Sequence, residues 1–414
     1  MQAGGGATYG PGRTRVIIVL AAFSLLVAAG AATGTSPTRL VSAPVRYFFP
    51  TGASNEAGAA EVTTTTVPAC RPAASLQDRA AEVLVVGLPN VTDASQSLVT
   101  DILDAGVGGV LVTGANVETR SQITQLLTGI TAQARHPMVV ATDEEPGRVT
   151  SFGSVIGSTS SARRLAAQGT ADAVRQLGRQ QATALRAMGV TLDFAPVADL
   201  DGGPSDATIG DRSFSADPAI AARYADAYAY GLSDGGLLAT AKHFPGRAHA
   251  VGDDHVGRIT SSSTMEDLLA GDIKPFADLV HRGIPVVMVS NVDYSALDPT
   301  TPASLSPTTY RLLRSLGFQG VAITDSIGMG AVNLRWDMED AAVKAIAAGA
   351  DAVLNTDGTS ARDMVNALVD AVHKGQLSED RLDQAAGRMI ALAGGDPMTF
   401  ACQSVTIPKL QPQP

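Results

Sequence analysis

Cysteine is almost missing from this chain: 414 residues contain two, Cys70 and Cys402. That excludes a disulfide-rich module and any zinc cluster built on several thiolates. Aromatic residues make up only 4%, too few for an aromatic-rich β-sandwich core. Ala, Gly, Val and Leu dominate instead, which suits close helix–strand packing. Basic residues are also short: 30 Lys plus Arg against 40 Asp plus Glu leave a net charge of −10. Binding nucleic acid through its phosphates needs a basic surface, so no nucleic-acid partner is expected. With 45% hydrophobic and 17% charged residues, a chain of this length can bury a large core without covalent staples.

One long apolar run is present. Arg13 and Arg15 precede Val16 to Ala32, and Ala29-Gly30-Ala31 supplies the small residues that suit signal cleavage. The run sits at the short limit of a membrane span, about 17 residues. Residues 1–32 are therefore expected to be a signal peptide or an N-terminal membrane anchor, and both readings are open. The flanking arginines put the N-terminus in the cytoplasm and the rest outside. The protein is thus expected to be secreted or membrane-tethered, with an extracytoplasmic body. No cysteine lies near the run, which excludes a lipoprotein anchor. Residues 33–75, rich in Ala, Gly, Thr and Pro, read as a flexible linker. Export implies oxidation, so Cys70 and Cys402 are expected to pair across the body, the alternative being two unpaired thiols. Residues 401–414 form a C-terminal tail.

Between these ends, residues 76–400 alternate strand and helix signals. Strands are expected at Glu82–Leu88, Gly109–Thr113, Met138–Thr142, Thr191–Ala195, Leu238–Lys242, Val286–Ser290, Val321–Thr324 and Ala352–Asn355. Most are continuous Val, Ile, Leu and Ala runs, as parallel strands covered on both faces require. Eight such units predict an α/β fold, a single (β/α)₈ TIM barrel. No Gly-rich dinucleotide fingerprint or phosphate-binding loop follows the first strand.

Barrel chemistry sits at the C-terminal ends of the strands. There the third strand gives Asp143-Glu144-Glu145, the fourth Asp193 and Asp199, and the fifth Lys242-His243. The sixth gives Asn291 and Asp293, and the seventh Asp325-Ser326. Carboxylates, cations and a histidine converge on one rim, where isolated buried charge would be costly. The competing reading is a ring of salt bridges that merely closes the barrel.

Several long segments carry a resemblance. Lys242-His243-Phe244-Pro245-Gly246 is followed by Gly252-Asp253-Asp254-His255. Ile209-Gly210-Asp211-Arg212-Ser213-Phe214 leads to Asp217-Pro218. Phe318-Gln319-Gly320-Val321-Ala322-Ile323-Thr324-Asp325 forms a third, with Phe194–Asp199 and Pro302–Ser306 beside them. Together they resemble glycoside hydrolase family 3, and within it the single-barrel β-N-acetylhexosaminidases that remove N-acetylglucosamine. The similarity runs over nearly all of residues 76–395.

The resemblance implies roles. Asp325 matches the nucleophile of a retaining mechanism; read alone, it could equally cap the next helix. His255 matches a general acid/base on the loop after the fifth strand, with Asp253 orienting its ring. Read alone, that loop is a solvated acidic turn with an incidental histidine. Asp143, Arg212, Lys242 and His243 match sugar-binding positions, and Lys242 and His243 are expected to donate hydrogen bonds to sugar hydroxyls. No metal or organic cofactor is implied, and the partner is a carbohydrate containing N-acetylglucosamine.

Four positions depart from the pattern. Arg247-Ala248 replaces the usual His-Gly, Pro146 replaces a glycine, and Ser151 replaces an arginine that contacts sugar in many relatives. The implied function is a retaining exo-β-N-acetylglucosaminidase acting on cell-wall fragments. The alternatives are another family 3 β-glycosidase, a phosphorolytic enzyme, or a non-catalytic sugar-binding envelope protein.

Overall fold

Eight parallel strands form the centre of the computed structural model, which describes residues 70–253 and 255–411. They are β1 (Leu84–Gly87), β2 (Gly109–Val112), β3 (Val139–Thr142), β4 (Leu192–Asp193), β5 (Leu238–Phe244), β6 (Val286–Val289), β7 (Val321–Thr324) and β8 (Val353–Asn355). Their order in the sheet is β7-β6-β5-β4-β3-β2-β1-β8, and a parallel bridge between Ile323 and Ala352 joins the two ends into a barrel. The expected (β/α)₈ architecture is therefore present. The expected signal or anchor (1–32), nearly all of the 33–75 linker and the last residues of the 401–414 tail lie outside the described residues. Among the described residues, no helix is long and apolar enough to cross a membrane.

Strand alternation sorts the side chains into two cores. Val85, Leu111, Ala141, Met288, Ile323 and Leu354 fill the barrel interior. Their neighbours Leu84, Val86, Val110, Val112, Val140 and Val287 point outward beneath the helices. Each fully buried side chain of this size contributes about 1.5–3 kcal/mol. Helix–helix contact is close where glycine permits it. A Cβ on Gly231 of helix Pro218–Asp234 would lie 2.2 Å from the Arg175 carbonyl of helix Ala171–Arg186.

β4 is shorter than expected because Pro196 has no N–H for the ladder. The chain still follows β5, with Thr240 N–H donating to the Ala195 carbonyl (2.8 Å) and Ala198 N–H to the Lys242 carbonyl (2.7 Å). That irregular extension carries Asp199 to the barrel mouth. β5 runs two residues further than expected, and its register against β6 shifts between Ala241 and Phe244.

Cys70 and Cys402 are bonded, with Cα atoms 5.8 Å apart and a sequence separation of 332. The bond fastens the start of the body to helix Pro397–Ala401. Below β8, buried Asp351 pairs with Arg314, Arg381 and Arg388. Burial would raise its pKa, but the three guanidinium groups outweigh it and hold the carboxyl below its ordinary value.

Candidate active site

A cavity of about 650 Å³ opens at the C-terminal ends of the strands. Leu111, Met288 and Leu354, the top of the interior core, form its apolar base. Asp143, Arg212, Lys242, His243, Asp253, His255 and Asp325 all line it. The sequence-selected residues thus come together from the end of β5 and from the segments after β3, β4, β5 and β7.

Asp325 directly follows β7 and is 8% exposed. Its N–H donates to the Val289 carbonyl (2.8 Å), so the β6–β7 ladder fixes its backbone. Ser326 N–H donates to its Oδ1 (2.7 Å). It does not cap the next helix: Met329 occupies the N-cap of Gly330–Asn333. A carboxylate on a rigid strand end, facing a sugar-sized cavity, can act as a nucleophile.

Beside it lies a buried ion network. Lys242 Nζ donates to Asp143 Oδ1 (2.7 Å) and pairs with Glu145 Oε1 at 2.6 Å. Arg212 grips Glu145 with Nε and Nη2, each at 2.8 Å, the planar two-bond arrangement that suits guanidinium and carboxylate. Burial alone would push Glu145 up, but Arg212 and Lys242 hold it well below the carboxylate range. Burial would push Lys242 down, and Asp143 and Glu145 hold it charged. Asp143, a third exposed, keeps its carboxylate toward the cavity. The salt-bridge network and the cavity wall therefore share residues.

His243 Nδ1 lies 2.6 Å from Asp199 Oδ2. Burial first, then Arg212, Lys242 and Arg247, push the imidazole well below its ordinary pKa. Burial raises Asp199 to about 6 against the nearby cations. At pH 7 the pair is a neutral imidazole and a carboxylate. This assigns the proton to Nδ1 as donor and leaves Nε2 an acceptor. With its ring proton turned to Asp199, His243 would offer Nε2 to a ligand as an acceptor.

The loop after β5 carries the acid/base candidate. His255 Nδ1 lies 2.8 Å from Asp253 Oδ1, and His255 N–H donates to the same oxygen (3.0 Å). Those two hydrogen bonds hold Asp253 below its ordinary pKa. The side chains are 66% and 50% exposed, so the pair stands at the mouth rather than in the core. A carboxylate-oriented imidazole in contact with solvent can both give and take a proton.

The departures find local explanations. Ala248 is not among the residues with positive φ, and its N–H donates to Asp272 Oδ1 (3.1 Å), so alanine fits. Pro146 enters a turn whose left-handed position is Gly147, at φ +103°. Ser151 N–H and Oγ–H donate to the Asp143 carbonyl (3.1 and 3.0 Å), steadying that residue from behind. Arg247 is buried and lines the cavity.

Three contributors carried no assigned role in the sequence reading: Glu145, Asp199 and Arg148. Arg148 lines the cavity, pairs with Asp211 (3.0 Å) and donates to the carbonyls of Ala207, Thr208 and Ile209. It shapes the segment that leads to Arg212. Of the rim carboxylates, only Asp143 and Asp325 line the cavity; Glu145 and Asp199 stand behind the lining, and the others point into separate networks. Asp193 is buried and accepts from Glu144 N–H (3.0 Å), while Asp293 pairs with Arg258 and Arg335. Among the described residues, no group of three or more His, Cys, Asp or Glu is arranged to hold a metal ion.

Comparison with known proteins gives a consistent result. Residues 75–392 match the glycosyl hydrolase family 3 N-terminal domain. The beta-hexosaminidase LpqI of Mycobacterium tuberculosis is 35% identical over 400 residues, which cover 92% of this chain and 98% of LpqI. The solved structure of a GH3 family glycosyl hydrolase from Mycobacterium smegmatis superposes with a TM-score of 0.73 at 39% identity, over 77% of this chain and 97% of that one. A glycoside hydrolase family 3 beta-N-acetylglucosaminidase from Paenibacillus sp. superposes with a TM-score of 0.74 at 29% identity, over 81% of this chain and 65% of that one. The match across the barrel, with charged strand ends gathered round one cavity, shows that the chain belongs to glycosyl hydrolase family 3 and is a glycoside hydrolase.

Proposed function

We propose that this protein is a retaining exo-β-N-acetylglucosaminidase that releases terminal β-linked N-acetylglucosamine. Its substrates would be peptidoglycan fragments met outside the cytoplasmic membrane, by a secreted or tethered enzyme. The carrying observation is the pairing, at one cavity, of a carboxylate at a rigid strand end with a carboxylate-oriented histidine at the mouth. The similarity to the beta-hexosaminidase LpqI and to the Paenibacillus beta-N-acetylglucosaminidase supports the choice of sugar.

In the first step Asp325 attacks the anomeric carbon while His255 protonates the departing oxygen. The glycosidic bond breaks and a glycosyl ester on Asp325 forms. In the second step His255 deprotonates a water, which displaces Asp325 and releases the sugar with its configuration retained. Asp253 holds the imidazole and stabilises its cationic form. Asp143, Arg212, Lys242 and His243 bind the sugar hydroxyls. The test is a panel of aryl β-glycosides: the N-acetylglucosaminide should be cleaved well ahead of the glucoside and the xyloside. Preference for either of the latter would overturn the assigned sugar.

Two further outcomes are expected. His255→Ala should slow substrates with poor leaving groups by about 10²–10⁴-fold, the range for general acid catalysis, and activated aryl substrates far less. Equal loss on both, in steady-state kinetics, would remove His255 from the acid role. The second concerns Asp199, which takes up a proton as pH falls through about 6. It then donates to His243 Nδ1, and Nε2 changes from acceptor to donor. KM should therefore step near pH 6. Asp199→Asn, which neither titrates nor carries charge, should remove the step and raise KM at pH 7 about three- to tenfold, the worth of one hydrogen bond. An unchanged pH profile of KM in the variant would count against this linkage.

A further inference from the structure

Asp293 follows β6 at the barrel rim but belongs to no part of the cavity lining. It is buried, and two arginines from different segments converge on it. Arg258 Nε donates to Oδ2 (2.6 Å), and Arg335 Nη1 donates to both oxygens (3.0 Å each). Arg258 lies three residues beyond His255 on the same loop. Arg335 follows the short helix after the β7 carboxylate, and its guanidinium covers Trp336 at 4.3 Å. One carboxylate thus ties together the segments that follow β5, β6 and β7.

The backbone repeats this connection. Ala250–Val251 and Thr260–Ser261 pair antiparallel as the two arms of the His255 loop. The return arm then pairs parallel with Asp293–Tyr294, and Asp293 N–H donates to the Ile259 carbonyl (3.0 Å). The tip of the loop rests on the residues after β7: Gly330 N–H donates to the His255 carbonyl (3.3 Å). A Cβ at Gly330 would come within 2.8 Å of that carbonyl oxygen and 2.9 Å of Gly257 N.

We infer that Asp293, clamped by Arg258 and Arg335, is a positioning residue that sets where the His255 loop stands over the cavity. It touches no reacting atom. It fixes the return arm of an exposed loop to the strand end beside Asp325, so that the acid/base and the nucleophile share one frame. A displacement of about 1 Å from remote mutation can cost on the order of 10²-fold in rate, so such a frame matters for catalysis.

The inference rests on the acid/base role of His255, and the test separates the two. Asp293→Asn, His255→Ala and the double variant are compared on an aryl N-acetyl-β-glucosaminide with a good leaving group and on one with a poor leaving group. Thermal unfolding is followed in parallel. Asp293→Asn should lower kcat on the poor leaving group about 10- to 100-fold, with a much smaller change on the good one and little change in KM. In the His255→Ala background the same substitution should add almost nothing. Arg258→Gln, at a half-exposed side chain, should give the same selectivity in weaker form and serves if Asp293→Asn does not fold. If His255→Ala is selective for poor leaving groups and neither clamp variant is, the clamp is wrong and the acid/base reading stands. Additive losses, or equal losses on both substrates, also overturn the clamp. If His255→Ala is itself unselective, both fall together.

Discussion

Replacing Asp325 with Ala is expected to lower hydrolysis of an aryl N-acetyl-β-glucosaminide by about 10⁴-fold or more, the scale on which a catalytic unit fails when one member is lost. A factor of 10⁴ corresponds to about 5.4 kcal/mol of lost transition-state stabilisation. The fold should survive the change. Asp325 is anchored by its backbone, through the bond to the Val289 carbonyl, and its side chain caps no helix. The Ser326 N–H loses its bond to Oδ1, but the Ser326 hydroxyl and Asn291 keep their partners in Thr356, Ser304 and the Ser326 carbonyl. Loss of activity with an unchanged unfolding curve is therefore the predicted pattern. A rate within tenfold of the natural enzyme would remove Asp325 from the nucleophile role.

The second large effect is on stability. Glu145→Gln should destabilise the barrel by about 3–5 kcal/mol, because breaking a buried ion pair leaves its partners charged and uncompensated. Glu145 takes two bonds from Arg212 and one pair from Lys242, and both cations are largely buried. Only partly exposed Asp143 would be left beside Lys242. The pH dependence has a definite sign. The folded-state pKa of Glu145 lies below its unfolded value, so its contribution is present in full above the ordinary carboxylate range. It is lost as pH falls through the depressed folded value. Denaturant unfolding at pH 7 should show the full difference between the two proteins, and the gap should narrow in strong acid. A loss below about 1 kcal/mol at pH 7, no more than a surface pair is worth, would contradict this account. Substrate binding should weaken too, since Arg212 and Lys242 line the cavity.

Much of this was legible in the sequence, and the failures have physical causes. All eight strands could be read because parallel strands covered on both faces need unbroken apolar runs. The ends of β4 and β5 could not, since Pro196 breaks one ladder and a register shift lengthens the other. The rim rule gathered the cavity residues but also took in Asp193 and Asp293. Position at a strand end says little about where a side chain points. Glu145 was recoverable: with a period of two, Asp143 and Glu145 face one way and Glu144 the other. Both face Lys242, while Glu144 accepts from Phe152 N–H (2.7 Å) and Thr150 Oγ–H (2.5 Å). Asp199 was harder, because the chain beyond β4 is irregular. The proton assignment of His243 depends on burial, which sequence does not contain.

A retaining mechanism passes through a covalent glycosyl ester on Asp325, which peptide mapping would capture. The enzyme is incubated with a 5-fluoro-N-acetylglucosaminyl fluoride, which forms the ester faster than water can cleave it, then digested and analysed by mass spectrometry. One added fluorosugar is expected on the peptide that contains Asp325. A fluorosugar on any other carboxylate, or turnover of the reagent with no adduct and an inverted product, would contradict that mechanism.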